Sequence, residues 1–480
     1  MRRRVSFDNR SLAIALLAGL LAACNGGPAV GSLPVASSSR ELIETGQLKN
    51  PIDKIDHIVI IVQENRSFNN LFYGFPGAKT VKYGLDSKNQ KIELKPLGLS
   101  SSWDLEHNHE GFELACNGTG SIPGTDCRMN GFDKESKTCG PGGTTGPCPI
   151  KYPQYSYAQH RETAPYFSMA KQYVLADEMF PTEFGGSFTG HLTLVAGTDN
   201  INQHPSQAIV DFPTISEGCD SPKGTKTSYL TSNRVVHRFK GPFPCFTQFR
   251  TLAEVMDAGG VSWKYYASKL LDAGLWAPFE TISYVRKGPD WNNNIIVPQT
   301  KVLDDPGQGN LASVSFVTPS KPDSDHPADH SAKGPSWVAS VVNAIGESPY
   351  WSSSAIIVVW DDWGGFYDNA PPPQLDYRGL GIRVPCLIIS PYAREAQPGK
   401  PGYVSHTQYE FGSILRFIEE TFGLPSIGKP GAGYTDERAN SLDDAFDFTQ
   451  APRAFTPIQS KFGRSTFEHE PPSDEPVDTE

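Results

Sequence analysis

The apolar positions of this chain gather into short continuous runs separated by long polar, turn-rich stretches. Ile58-Val59-Ile60-Ile61-Val62 and Ala355-Ile356-Ile357-Val358-Val359-Trp360 are β-branched runs of strand length. Such runs read as fully buried strands of a parallel sheet. Further strands are predicted over 262–266, 313–317 and 384–389. Elsewhere the period lengthens to that of a helix. Residues 252–256 predict a helix ended by Gly259-Gly260, and Trp337, Val338, Val341, Val342 and Ile345 share one helical face. Phe411, Ile414, Leu415, Ile418 and Phe422 mark the last amphipathic helix, with Gly423 as its stop. Residues 165–180 read as a single helix, and 184–187 as a turn before the apolar run 191–196. The alternation of strands and helices predicts an α/β, doubly wound sheet with helices on both faces.

Between these elements lie weakly periodic segments. Residues 80–160 are turn-rich and carry four cysteines, which predicts an insertion or lid stapled by disulfides. Residues 200–246 are also loop-like. The 45 Gly and 40 Pro of the 480 residues fit this loop content. A net charge of -11 argues against non-specific binding to nucleic acid, because there is no basic excess to displace counterions. At the N-terminus, Arg2-Arg3-Arg4 precede an apolar stretch over 12–21 that is short for a bilayer span. It ends in Leu21-Ala22-Ala23-Cys24, which resembles a bacterial lipobox. The expectation is a lipoprotein signal peptide over 1–23, a tether over 24–50 and a domain over 51–460. Lipidated Cys24 would then anchor an exported protein to the bacterial cell envelope. The segment 461–480 is acidic and expected to be disordered.

Export agrees with the cysteines. Cys386 lies in an apolar strand-like run and reads as a buried free thiol. Cys116, Cys127, Cys139, Cys148, Cys219 and Cys245 lie in Gly- and Pro-rich segments. Sequence leaves their connectivity open, although nearest-neighbour pairing 116–127, 139–148 and 219–245 closes short loops.

The chemistry follows from what terminates the two strongest strands. Glu64-Asn65 follows the first and Asp361-Asp362 the second. In open α/β sheets ligands bind at the carboxyl ends of the strands. Three carboxylates and an amide brought together there repel unless a cation neutralises them. Hard oxygen donors favour one divalent ion such as Mg²⁺, Ca²⁺ or Mn²⁺, with Zn²⁺ the less natural choice.

Three ordered blocks carry a resemblance. Glu64-Asn-Arg-Ser-Phe68, Asp361-Asp-Trp-Gly-Gly-Phe-Tyr-Asp368 with Pro371-Pro-Pro373, and Arg383-Val-Pro with Ile389-Ser-Pro391 resemble the bacterial phosphoesterase family of phospholipases C and AcpA-like acid phosphatases. The resemblance runs discontinuously from about residue 51 to 425. It implies an alkaline-phosphatase-like fold, metal ligands at Glu64, Asn65, Asp361 and Asp362, and a nucleophile at Ser187. Thr182 and Thr189 are the rival hydroxyls. It also implies phosphate-site histidines at His107, His326 and His406, with His109, His191 and His330 as alternates. The chain departs from the family pattern at Gly190 and His191, and has Asn69 and Asn130 where an Asp is common. The expected activity is metal-dependent hydrolysis of a phosphate ester or phospholipid through a phosphoserine, as acid phosphatase or phospholipase C. A Ser-His-Asp acyl hydrolase is the rival, but it needs G-x-S-x-G, and Thr189 stands at the fifth position. A non-catalytic surface-binding lipoprotein is the other alternative.

Overall fold

The computed structural model describes residues 51–140, 146–202, 205–211, 218–268, 276–396 and 398–471. The expected leader, Cys24, the tether and residues 472–480 of the expected tail lie outside them. The main sheet is built from β1 (His57–Gln63), β2 (Val174–Phe180), β3 (Trp263–Tyr266), β4 (Ile295–Ile296), β5 (Val314–Val317), β6 (Ser354–Trp360), β7 (Val384–Ile389), β8 (Tyr403–Ser405) and β9 (Tyr409–Glu410). Their order is β4-β3-β5-β1-β6-β7-β2-β8, with β9 also beside β2. Only β7 runs against its neighbours; the other pairs are parallel. Every side chain of β6 is buried, which is why its sequence shows no alternation.

Five longer helices cover the sheet: α1 (Ala164–Gln172), α2 (Ser187–Ala196), α3 (Leu252–Gly259), α4 (Gly334–Gly346) and α5 (Phe411–Phe422). α2 packs on α3 and α5 in one layer, and α1 packs on α4 in the other. Gly260 and Gly423 end α3 and α5 in the left-handed conformation.

Two expectations need correction. The stretch 165–180 is not one helix. α1 stops at Gln172, Tyr173 leaves helical geometry (φ -129°, ψ -144°), and β2 follows. A short apolar run is ambiguous between the two periods, and here burial on both faces decides for strand. The folded part also passes residue 460. Phe467, in the short helix Arg464–Glu468, is buried with its ring 5.4 Å from that of Trp337, and Glu470 pairs with Lys333 at 2.6 Å.

The six cysteines of the loop segments pair as 116–127, 139–148 and 219–245, and Cys386 is a buried free thiol on β7. The 80–160 segment builds a second apolar cluster. Phe112, Phe132 and Tyr155 pack there with Phe184, Trp363 and Tyr367, so the insertion clamps the loops that follow β2 and β6.

A buried ion network ties the same region to α5. Arg378 binds Asp199 at 2.5 Å and Asp376 at 2.6 Å, and Arg438 binds Asp376 and Glu410. Burial alone would push the Asp376 carboxyl up, but Arg378 and Arg438 outweigh it and hold it at about 2. A carboxyl lowered on folding stabilises above its unfolded pKa, and that contribution is lost as pH falls through about 2. Arg378→Met strands the buried Asp199 carboxylate, while Asp376 keeps Arg438, and should cost about 3 kcal/mol at neutral pH. The deficit should shrink as pH falls toward 4, where the unpaired Asp199 accepts a proton in the variant. Denaturant melts of both proteins across that range check it, and a deficit flat with pH would contradict the account.

Candidate active site

β1 and β6 are parallel neighbours with Gln63 opposite Trp360. Glu64 and Asp361 therefore leave the sheet side by side at its carboxyl edge, about one strand spacing (~4.8 Å) apart. The Asp361 N–H donates to the Gln63 carbonyl, and the Asn65 N–H donates to Asp361 Oδ1, both at 3.0 Å. Asn65 adopts φ 59°, an uncommon conformation that Asn tolerates better than most residues. The turn after Asp362 folds tightly onto it. Gly364 has φ 61°, and a Cβ there would lie 2.0 Å from the Asn65 carbonyl oxygen.

The third contributor is α2. Its first residue is Ser187, reached through Gly185 and Gly186, and its fifth is His191. Residues four apart lie on one helix face, so α2 presents both side chains to the same edge of the sheet. Ser187 Oγ donates to Asp362 Oδ2 at 3.2 Å and accepts from Asn65 Nδ2 at 3.1 Å. His191 Nε2 lies 2.8 Å from Glu64 Oε1 and 3.8 Å from Asp361 Oδ2. One ligand atom each from Glu64, His191 and Asp361 falls within 4.8 Å of the others, and all three residues are buried.

Gly190 explains how α2 comes so close. A Cβ there would sit 2.7 Å from the Asp361 carbonyl oxygen. Gly190→Ala should therefore push the helix from the strand end, costing roughly 1–3 kcal/mol of stability. Turnover should fall with it, measured by denaturation and steady-state kinetics. Unchanged values for both would mean the contact yields freely.

The donor set fits a divalent cation. Among the described residues Asp361 Oδ2 and Asn65 Oδ1 are buried without a hydrogen-bond partner, and buried polar atoms are rarely left so. Burial pushes the His191 imidazole down to about 4, against the pull of Asp361, so near neutral pH its ring is uncharged and suited to coordinate. The tight cluster thus contains an imidazole that the expected ligand set lacked. Asp362 instead faces Ser187 and Asn65, and its Oδ1 also accepts from the Gly364 N–H at 2.7 Å.

His107 and His326 come together, with ring centroids 5.7 Å apart. Trp276 lies 5.8 Å from His326 and 6.5 Å from His191, linking the histidine pair to the carboxylate cluster. Sequence patterning gave no sign of Trp276. His107 Nδ1 meets the Leu105 carbonyl at 2.6 Å, and His326 Nδ1 meets that of Pro327. The preceding Asp325 is fixed by Tyr166, Trp360 and, through its carbonyl, Arg66. His406 is not brought to this cluster. It is half-exposed at the β2–β8 edge, 2.8 Å from Asp177 Oδ1.

The remaining candidates have other duties. Thr182 bonds Glu410, and Thr189 bonds the Gly186 carbonyl inside the helix. His109 packs on Phe184, and burial with Arg234 and Arg238 nearby pushes it down to about 4. His330 is exposed, with its N–H on the Ser101 carbonyl. Asn69 is hydrogen-bonded to Val81, and Asn130 to Asn117 and Asn89, so both amides hold loops together.

A serine at the head of a buried helix thus lies beside carboxylates and an imidazole at the carboxyl edge of the sheet, and this is the candidate active site. Residues 55–425 match the model of the Phosphoesterase family, and the chain belongs to that family. It is therefore a hydrolase acting on phosphoric esters. It is similar to phospholipase C A of Mycobacterium tuberculosis, 25% identical over 86% of this chain and 81% of the relative. Non-specific phospholipase C1 of Arabidopsis thaliana is 24% identical over 78% of this chain and 68% of its own length. Among solved structures, a protein of the alkaline phosphatase superfamily from Vibrio parahaemolyticus aligns with 82% of this chain and 72% of its own at 12% identity, with a TM-score of 0.37. At that score the likeness adds nothing to what the strand order and the family already establish.

Proposed function

We propose that the enzyme is a phospholipase C, cleaving a phospholipid on the diacylglycerol side of phosphorus through a phosphoserine at Ser187. The observation that carries the mechanism is the pair of hydrogen bonds joining Ser187 Oγ to Asp362 and Asn65 beside the Glu64–His191–Asp361 cluster. The choice of substrate class is supported by the relatives called phospholipase C.

Ser187 Oγ attacks phosphorus and its proton passes to Asp362 Oδ2. The bond from phosphorus to the diacylglycerol oxygen breaks, and that oxygen takes a proton from His107 or His326. Water then attacks phosphorus and returns a proton to the histidine. The Oγ–phosphorus bond breaks, and Ser187 recovers its proton from Asp362. The product is the phosphorylated head group. Trp276 Nε1, buried and without a hydrogen-bond partner among the described residues, is a donor for a substrate oxygen. Glu64, His191, Asp361 and the Asn65 amide oxygen would hold a divalent ion, which when bound supplies charge stabilisation at the nucleophile and the phosphoryl oxygens. With imidazole in the set, Mn²⁺ or Zn²⁺ fits better than Ca²⁺. Export and anchoring through Cys24 remain our reading of the leader and would place this activity in the cell envelope.

Purified enzyme should be offered p-nitrophenyl phosphate, p-nitrophenylphosphorylcholine and phosphatidylcholine, with and without EDTA. Release of diacylglycerol, abolished by EDTA, is the expected result. Turnover of the monoester alone would make it an acid phosphatase.

A further inference from the structure

We propose that the hairpin region 218–250 docks the enzyme on an anionic phospholipid surface. This deepens the phospholipase reading, on which it rests, by naming where the lipid aggregate is held. The strands Ser228–Thr231 and Val236–His237 pair antiparallel, with Leu230 opposite Val236 and Tyr229 opposite His237. Leu230 is buried and Val236 packs on the second apolar cluster, so strand alternation turns Val235 and His237 outward. Val235 is 54% exposed and Phe239 60%, more than any other large apolar side chain among the described residues.

Charge singles out the same segment. Residues 218–250 hold six cations, Lys223, Lys226, Arg234, Arg238, Lys240 and Arg250, against one carboxylate, Asp220, within a chain of net charge -11; Arg238 pairs with Glu110 and Asp220 with Arg286. Lys223, Lys226 and Lys240 are exposed. Arg234 faces inward instead. Its guanidinium donates to the carbonyls of Pro123, Gly124, Tyr377 and Arg378, and lies 4.5 Å over the Phe184 ring. Phe184 is three residues before Ser187, so the hairpin is fastened to the loop that delivers the serine. The Cys219–Cys245 bridge closes its base. Arg234 also bonds Gln374, which brings the exposed Leu375 to the same rim.

Exposed apolar side chains on a pinned element that also carries exposed lysines match a head-group layer. The apolar side chains enter the acyl boundary while the ammonium groups stay with the phosphates. A nucleic-acid backbone would satisfy the lysines but leave Val235 and Phe239 without a role.

The test is co-sedimentation of the full chain carrying Cys24→Ser, so that no acyl anchor contributes. Vesicles are phosphatidylcholine alone or mixed with phosphatidylglycerol. The parent should prefer the mixed vesicles. Changing Lys223, Lys226 and Lys240 together to Gln should weaken that binding roughly 100-fold, at about fivefold per charge. Val235→Ser with Phe239→Ser should weaken binding to both vesicle types roughly tenfold. Both variants should hydrolyse soluble p-nitrophenylphosphorylcholine like the parent. Equal binding of parent and variants overturns the proposal, as does binding to DNA or heparin without binding to vesicles. If no phosphate ester is hydrolysed but vesicle binding still depends on these residues, the function reading fails and the docking surface stands. Hydrolysis without vesicle binding overturns the surface alone.

Discussion

Ser187→Ala is expected to lower phosphate-ester turnover by roughly 10²–10⁴ with little change in KM, the scale of deleting a group that acts in the chemical step. The position admits the change structurally, because Ser187 begins α2 and alanine is a good helix former. What it removes is the oxygen between Asn65 and Asp362. Those partners lose one contact each, a cost of about 1 kcal/mol in stability, far too small to explain a thousandfold loss of rate. Acid quench of the parent during turnover should trap phosphorus on serine, and the variant should trap none. Undiminished turnover in the variant would remove Ser187 from the mechanism.

The second large effect belongs to Glu64→Gln. The substitution keeps shape and removes one of the charges that draw a cation. Metal affinity should fall by at least the 10–100-fold typical of losing even an outer-sphere partner. Activity should fall with it and return in part when the ion is supplied in excess. Metal content by elemental analysis after dialysis gives a readout independent of catalysis. Equal content in parent and variant would place the ion elsewhere. His191 should respond too: its ring then faces a neutral amide in place of the Glu64 carboxylate 2.8 Å away.

Much of this site was legible because strands end where chemistry begins. The two β-branched runs pair in parallel register, and the acidic residues written after them converge as a direct consequence. The helix carrying Ser187 was harder to read. All ten of its residues are buried, so no polar face marks its period, and the glycines before it suggested only a turn. With the helix unrecognised, the four-residue spacing of Ser187 and His191 had no meaning, and the imidazole stayed an alternate. Asp362 fared differently. Its sequence position is equivalent to that of Asp361, but adjacent residues leaving a strand point different ways, and the turn onto Gly364 sends it to the serine. The β2 strand was misread because its apolar residues fit either period. Trp276 and the His107–His326 pair meet only through tertiary packing, which no local pattern encodes.

Because α2 holds both the hydroxyl and the imidazole one turn apart, neither can be retuned alone. On the proposed mechanism, a shift along the helix axis that relaxes His191 around the ion moves the Ser187 hydroxyl with it. Efforts to exchange the preferred ion are therefore better aimed at the strand ends, where Glu64 and Asp361 sit on separate segments, than at the helix, whose movement would carry reactivity and affinity together.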